Sequence, residues 1–355
     1  MRSAFAVDYP ALAVTLALGA LGGVAAAALG VPLGYLLGSL LAVGMTAAMG
    51  WRPFGRVVTM PMRLRMSFVP VIGVAIGGAF TPQVAREALG WGGSLLGLLL
   101  FVPVAHAVGY LIFRRGGLPR VDAYFSSLPG GLIESVQLGE EAGADVRLLT
   151  VLQFLRLILT IIAVPLIFAG VTGHAVGSAA GVQMAGADVD LTFRDVLVLV
   201  GCGGLGVWLA RLCRIPAWII TGPLILSALA HVLGLVEGVP PGWLISVTQI
   251  VLGTGLGARF AGVSGGMLRR AGGLAVLNGA AVMALAYAFA LALHALVGES
   301  VPAVFLAFAP GGLAEMSLIA LSLNISAIYV TTHHVVRIAL AVVAAQIGAR
   351  WFAKA

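Results

Sequence analysis

A helix-breaking Pro-Gly-Gly occurs twice in this chain, each time inside sequence that is otherwise apolar. The copies read Ser-Ser-Leu-Pro-Gly-Gly-Leu-Ile-Glu at 126–134 and Ala-Phe-Ala-Pro-Gly-Gly-Leu-Ala-Glu at 307–315. Glu134 matches Glu315, and an arginine follows each glutamate 22 residues later, Arg156 and Arg337. Inside a bilayer, broken backbone is tolerated only where protein or a water-filled cavity satisfies the freed N–H and C=O groups. Two matched breaks, each with an intramembrane Glu and Arg, therefore point to a functional site.

The membrane setting follows from composition. The 355 residues are 61% hydrophobic and 9% charged, which excludes an ordinary soluble domain. The 49 glycines suit close helix packing in lipid. The basic balance rests on 19 Arg and one lysine, Lys354, spread over many short loops. The positive-inside rule accounts for that spread, and no direct nucleic-acid partner is expected. Cys202 and Cys213 lack metal-like spacing and read as free thiols. The N-terminus runs into a full-length span without a clear cleavage site, so no removed signal peptide is expected.

Apolar spans are expected near 10–29, 31–50, 66–80, 91–113 and 147–169, with the first break inside 121–142. The second half repeats the plan near 195–213, 216–235, 243–260, 272–296 and 327–350, with its break inside 302–324. Local matches support a duplication with an offset near 180 residues. Pro32…Gly38 aligns with Pro216…Gly222, and Gly73-x-x-x-Gly77 aligns with Gly253-x-x-x-Gly257. Thr150-x-x-Gln153-x-x-Arg156 aligns with Thr331-x-x-His334-x-x-Arg337. The division is membrane repeat 1 at 1–170, a linker at 171–193 and membrane repeat 2 at 194–355. The glycine pairs read as packing motifs rather than binding sites.

The arginines orient the halves. If each break enters and returns, each half has five crossings and one re-entrant hairpin. With the N-terminus inside, sixteen of the twenty basic residues then face the cytoplasm. Only Arg86 and Arg194 fall outside, and Arg156 and Arg337 lie within the membrane. An all-crossing plan would move Arg147, Arg211, Arg214, Arg259, Arg269 and Arg270 outside, against the rule. The expected fold is thus an all-α polytopic membrane protein of two inverted repeats. Both termini are expected in the cytoplasm of a bacterial inner membrane.

About eight residues precede each Pro-Gly-Gly; as helix they descend roughly 12 Å, near half of a ~30 Å core. A new half-helix then starts, its N-terminal N–H groups and positive dipole end facing the midplane. The candidate substrate or ion site comprises Ser127, Pro129, Gly130, Gly131, Glu134, Gln153 and Arg156, with Pro310, Gly311, Gly312, Glu315, His334 and Arg337. Arginines and helix N-termini suit an anion, while Glu134, Glu315 and His334 suit protons. Two structural ion pairs, Glu134 with Arg156 and Glu315 with Arg337, are the plainer alternative. Ser126, Ser127 and Ser135 serve either substrate or freed backbone. His333 sits about 100° around the helix from His334 and faces elsewhere. His106 and His294 read as histidines satisfied by nearby backbone or an interface. Asp145 and Asn324 read as turn residues.

These motifs resemble the bacterial AbrB-duplication membrane proteins over nearly the whole chain. Members of that family carry the labels transcriptional regulator or ammonia monooxygenase. The plan of five spans plus a re-entrant hairpin is also similar to the citrate and glutamate symporters, although their Gly-Gly-x-Gly tips are absent here. That likeness implies transport in general and no particular substrate or coupling ion; with the arginines and helix N-termini, the leading reading is a secondary transporter of a small organic anion or amino-acid-like solute. The family label implies instead a membrane sensor acting indirectly on gene expression. An enzyme is not expected: the six histidines are scattered without ligand spacing, so no metal and no cofactor is assigned. The partners expected are the bilayer and a small solute or ion, and the plan leaves room for an oligomer.

Overall fold

The computed structural model describes residues 8–352 apart from 32, 81–85, 87, 173–188, 216, 264 and 324. Arg2, Pro32, Glu87, Pro216, Asn324, Lys354 and most of the expected linker lie outside the described residues. Among the described residues there are fourteen α-helices and no strand. In chain order they are α1 (Tyr9–Ala28), α2 (Gly34–Ala48), α3 (Met62–Gly78), α4 (Gly92–Arg115), α5 (Arg120–Ser127), α6 (Leu132–Glu141) and α7 (Val146–Thr172). The second half gives α8 (Phe193–Leu212), α9 (Trp218–Val232), α10 (Gly242–Gly257), α11 (Gly265–Val297), α12 (Val301–Phe308), α13 (Leu313–Ser322) and α14 (Ala327–Phe352). Six helical stretches are long and apolar enough to cross a bilayer, and the chain is an all-α polytopic membrane protein.

Each expected span is found as a helix, and the differences are at the ends. Arg63 and Arg65, expected in a loop, lie in the first turns of α3, and Arg269 and Arg270 lie in α11. Arginine is a good helix former and its long stem lets the charge reach water beyond the apolar core. At 33 residues, α11 is roughly 50 Å long and overshoots a ~30 Å core. Asp145 does more than turn the chain: its carboxylate accepts from the N–H groups of Arg147 and Leu148 and caps α7.

The chain forms two compact units, and each takes matching pieces from both sequence halves. One unit comprises residues 1–79, 164–265 and 321–323, hence α1–α3 and α8–α10. Here the repeated glycines act as packing sites. Gly73 and Gly77 of α3 press on the Ile220 and Leu224 carbonyls of α9. Gly253 and Gly257 of α10 press on the Leu36 and Leu40 carbonyls of α2. A Cβ at any of the four would collide with backbone, so the close approach requires glycine. The third helix of each half thus packs on the second helix of the other half. The turns into α2 and α9 also match: Leu33 and Ala217 both adopt left-handed backbone, with φ 47° and 51°. That conformation is costly for residues other than glycine, and its recurrence at equivalent positions marks a shared turn geometry.

The other unit comprises residues 80–163, 266–320 and 324–355. It contains both broken segments, α5–α6 and α12–α13, together with α4, α11, α14 and most of α7. Its aromatic core includes Phe101 edge-on to Phe289 and Phe308. Tyr124 stands edge-on to Phe125 and Phe352, and its hydroxyl donates to the Ala344 carbonyl of α14.

Candidate functional site

Both breaks have the expected form. An eight-residue half-helix runs to Ser127 or to Phe308, the Pro-Gly-Gly follows, and a ten-residue half-helix restarts at Leu132 or Leu313. Proline cannot continue the helix, and Gly131 takes left-handed backbone at φ 60°. The break frees carbonyls at the end of the first half-helix, and these are buried away from water, so each needs a donor.

The donors come from the long helix that follows each hairpin. In the first half, Gln153 Nε2 donates to the carbonyls of Phe125 (2.7 Å) and Ser126 (3.3 Å). Arg156 Nη1 donates to the Leu128 carbonyl. In the second half, His334 Nε2 meets the Leu306 carbonyl at 2.9 Å, and Arg337 Nη1 donates to those of Phe308 and Ala309. Arg337 Nη2 also donates to the Gly311 carbonyl at 2.8 Å. The positions matched in sequence therefore meet at matched carbonyls, Phe125 with Leu306 and Leu128 with Ala309. Residues three apart share one helix face, so each pair grips one tip.

The tips also cross over. Gly130 packs on Ile338 and Ala341 and on the Arg337 carbonyl of α14, while Gly312 faces Leu157 of α7. Each tip therefore rests against the helix whose arginine serves the other tip. Arg156 and Arg337 are near enough to repel as like charges. Both are buried, at 5% and 1% exposure, and both keep a buried Nε–H without a hydrogen-bond partner. Beside the ion pairs weighed from spacing, both arginines bond main-chain carbonyls, and in the first half Glu134 is exposed while Arg156 is buried. Two desolvated guanidiniums with spare donors favour an arriving anion.

The other expected site residues divide. Pro129, Gly130, Gly131, Pro310 and Gly311 are buried. Glu315 is buried at 4% exposure, its carboxylate filling the space that a Gly312 side chain would need. Glu134 is exposed. Ser127 turns toward α4, where its hydroxyl meets His106 Nδ1 at 3.0 Å and donates to the Tyr124 carbonyl. Ser135 serves the backbone, bonding the Gly130 carbonyl. His334 Nδ1 lies 3.1 Å from Arg337 Nη2, which can only donate. Nδ1 is therefore the acceptor and Nε2 carries the proton donated to Leu306, which fixes a neutral tautomer. The donor set around the breaks is cationic and suits neither copper nor iron.

Spacing did not single out Asn278, a 2%-exposed asparagine inside apolar α11. It stands with Ser127 beside Gly109, and its Oδ1 has no partner. A lone amide in a membrane span was the available signal.

The model of the family described as "Transition state regulatory protein AbrB" matches residues 43–353. The chain is 25% identical over 296 residues to the Escherichia coli (strain K12) protein named "Putative regulator AbrB", covering 82% of this chain and 83% of that one. It is also 25% identical over 261 residues to "Uncharacterized protein YhjN" of Bacillus subtilis (strain 168), covering 69% and 67%. With the family match running through both breaks and both arginines, the chain belongs to the AbrB family.

Proposed function

We propose that the protein is a secondary transporter of a small organic anion or amino-acid-like solute, a carrier and not an enzyme. The observation that carries this reading is the pair of buried arginines, Arg156 and Arg337, at the two hairpin tips with unpartnered Nε–H groups. The solute's negative group would take those donors between the Pro-Gly-Gly breaks. The N-termini of α6 and α13 add positive dipole ends. Glu134 and Glu315 are the coupling candidates for protons or Na⁺, since His334 is fixed neutral by Arg337.

The repeats are inverted in this reading, the first hairpin entering from the cytoplasm and the second from outside, in a bacterial inner membrane. Alternating access then exposes the tips to each side in turn. A thermal-unfolding screen of purified protein against small carboxylates and amino acids tests solute binding, because a ligand of the folded state raises its stability. At least one anion should stabilise the wild type and lose its effect in Arg156→Gln and Arg337→Lys, and uptake of that anion into proteoliposomes should follow. Binding without uptake would instead favour a membrane sensor acting indirectly on gene expression, the reading that the name of the Escherichia coli relative supports.

A further inference from the structure

The histidine next to the site has a hydrogen-bond arrangement that His334 lacks. His333 is fully buried on α14, one turn before Arg337. Its Nδ1 lies 2.8 Å from the Tyr329 carbonyl, which can only accept, so Nδ1 carries a proton. Its Nε2 lies 2.8 Å from the Ser94 hydroxyl of α4. That hydroxyl has a second acceptor in reach, the Trp91 carbonyl at 3.0 Å. Ser94 has one proton and two acceptors.

From this geometry we infer that His333 is a reversible proton-binding site, reached through Ser94 and Tyr329. When His333 is neutral, Ser94 donates to Nε2. When His333 is protonated, Nε2–H donates to Ser94 Oγ and the Ser94 hydroxyl turns to the Trp91 carbonyl. Both ring nitrogens of His333 and the Ser94 hydroxyl are bonded in both states, so neither state leaves them unsatisfied. His334 has no such second state, because a proton on Nδ1 would face the donor N–H of Arg337.

The proposed proton site includes a route toward the surface. The Tyr329 hydroxyl is buried without a hydrogen bond of good geometry, yet it lies close to Ser94 and within electrostatic range of half-buried Glu299. A proton from the Glu299 side passes to Tyr329 as the phenol gives its own to Ser94 and Ser94 gives its own to Nε2. One O–H bond breaks at each step as the next forms, and the net change is one proton on His333. The titratable and charged groups around His333 are Tyr329, Glu299, His334 and Arg337. The Phe308 ring lies 6.0 Å from the imidazole, and the Phe308 carbonyl accepts from Arg337. A charge on His333 is therefore felt at the second hairpin tip.

A coupling role for this proton rests on the transport reading, but its binding does not. The test is magic-angle-spinning NMR of the full chain, labelled with ¹⁵N-histidine, in lipid nanodiscs, with resonances assigned by His333→Gln and His334→Gln. As pH falls from about 8 to about 3, His333 should pass from the neutral Nδ1–H form to the imidazolium, while His334 stays in the neutral Nε2–H form. Ser94→Ala should lower the His333 midpoint by about one unit or more, and Ser94→Thr should restore it. Tyr329→Phe removes an unpartnered hydroxyl; it should slow hydrogen–deuterium exchange at His333 and leave the midpoint in place. A single neutral form of His333 throughout, or a midpoint indifferent to Ser94→Ala, overturns the inference. That result would leave the anion site standing. A titrating His333 in a protein that moves no solute would uphold the proton site and overturn the transport reading.

Discussion

The two hairpins share a backbone plan and differ in how firmly the protein holds them. At the second, Arg337 bonds the carbonyls of Phe308, Ala309 and Gly311 and braces His334, and Glu315 is buried beside Gly312. At the first, Arg156 bonds the Leu128 carbonyl, Gln153 takes those of Phe125 and Ser126, and Glu134 is exposed. Duplication has kept the break and its two donors, while the number of bonds and the setting of the glutamate have diverged.

The largest expected effect separates the arginines. Arg337→Met removes a donor from three buried carbonyls, of which Ala309 keeps the Gly311 N–H, and should cost on the order of 3–5 kcal/mol in unfolding free energy. Arg156→Met loses one such bond and should cost about 1–3 kcal/mol. Equal losses in detergent-solubilised unfolding would break the comparison. Next, Gly312→Ala should destabilise by pushing the Glu315 carboxylate aside, and the loss should shrink in a Glu315→Ala background. A coupling energy near zero in that double-mutant cycle would show that the two do not compete for space. Gly131→Ala should cost about 1–2 kcal/mol, chiefly through left-handed strain with some crowding of Val342, whatever stands at Glu134.

Smaller still is His334→Gln, which gives the second hairpin the donor of the first. The amide can serve the Leu306 carbonyl, so the change should stay near 1 kcal/mol, whereas His334→Ala should cost more. A control lies outside both hairpins. Thr192 and Asp195 form a capping box on α8, and the Thr192 hydroxyl and backbone N–H hold the Asp195 carboxyl below its usual range. Its contribution is present at neutral pH and fades as pH falls through that lowered value. Asp195→Asn should flatten this acid-side loss slightly and leave both hairpins unchanged.

Much of this was legible in the sequence. Pro-Gly-Gly in apolar surroundings located both breaks because proline and glycine act on local backbone, and local rules survive tertiary context. The Gln153/Arg156 and His334/Arg337 matches foretold shared faces, because spacing fixes register on a helix. Spacing alone paired Arg156 with Glu134, however, when the true partners are main-chain carbonyls, which carry no sequence signature. The interleaving of the halves into two units was equally hidden. Gly73 and Gly253 announce close packing, but a GxxxG does not say which helix it will meet. Adjacency on the helix favours His334 over His333, because His334 aligns with Gln153, and the hydrogen bond of His333 to Ser94, some 239 positions distant in the chain, has no sequence signature.

The most direct test places single cysteines at Ser127 and at Ala309 in a background lacking Cys202 and Cys213. Membrane-impermeant thiol reagents are then applied to right-side-out and inside-out vesicles. Both positions are buried here, at 4% and 0% exposure, so labelling must wait for the tips to open. The account predicts slow labelling of Ser127→Cys from the cytoplasmic face only and of Ala309→Cys from the outer face only. Labelling of both from one face, or of neither from either face, would contradict opposed hairpins that reach water in turn.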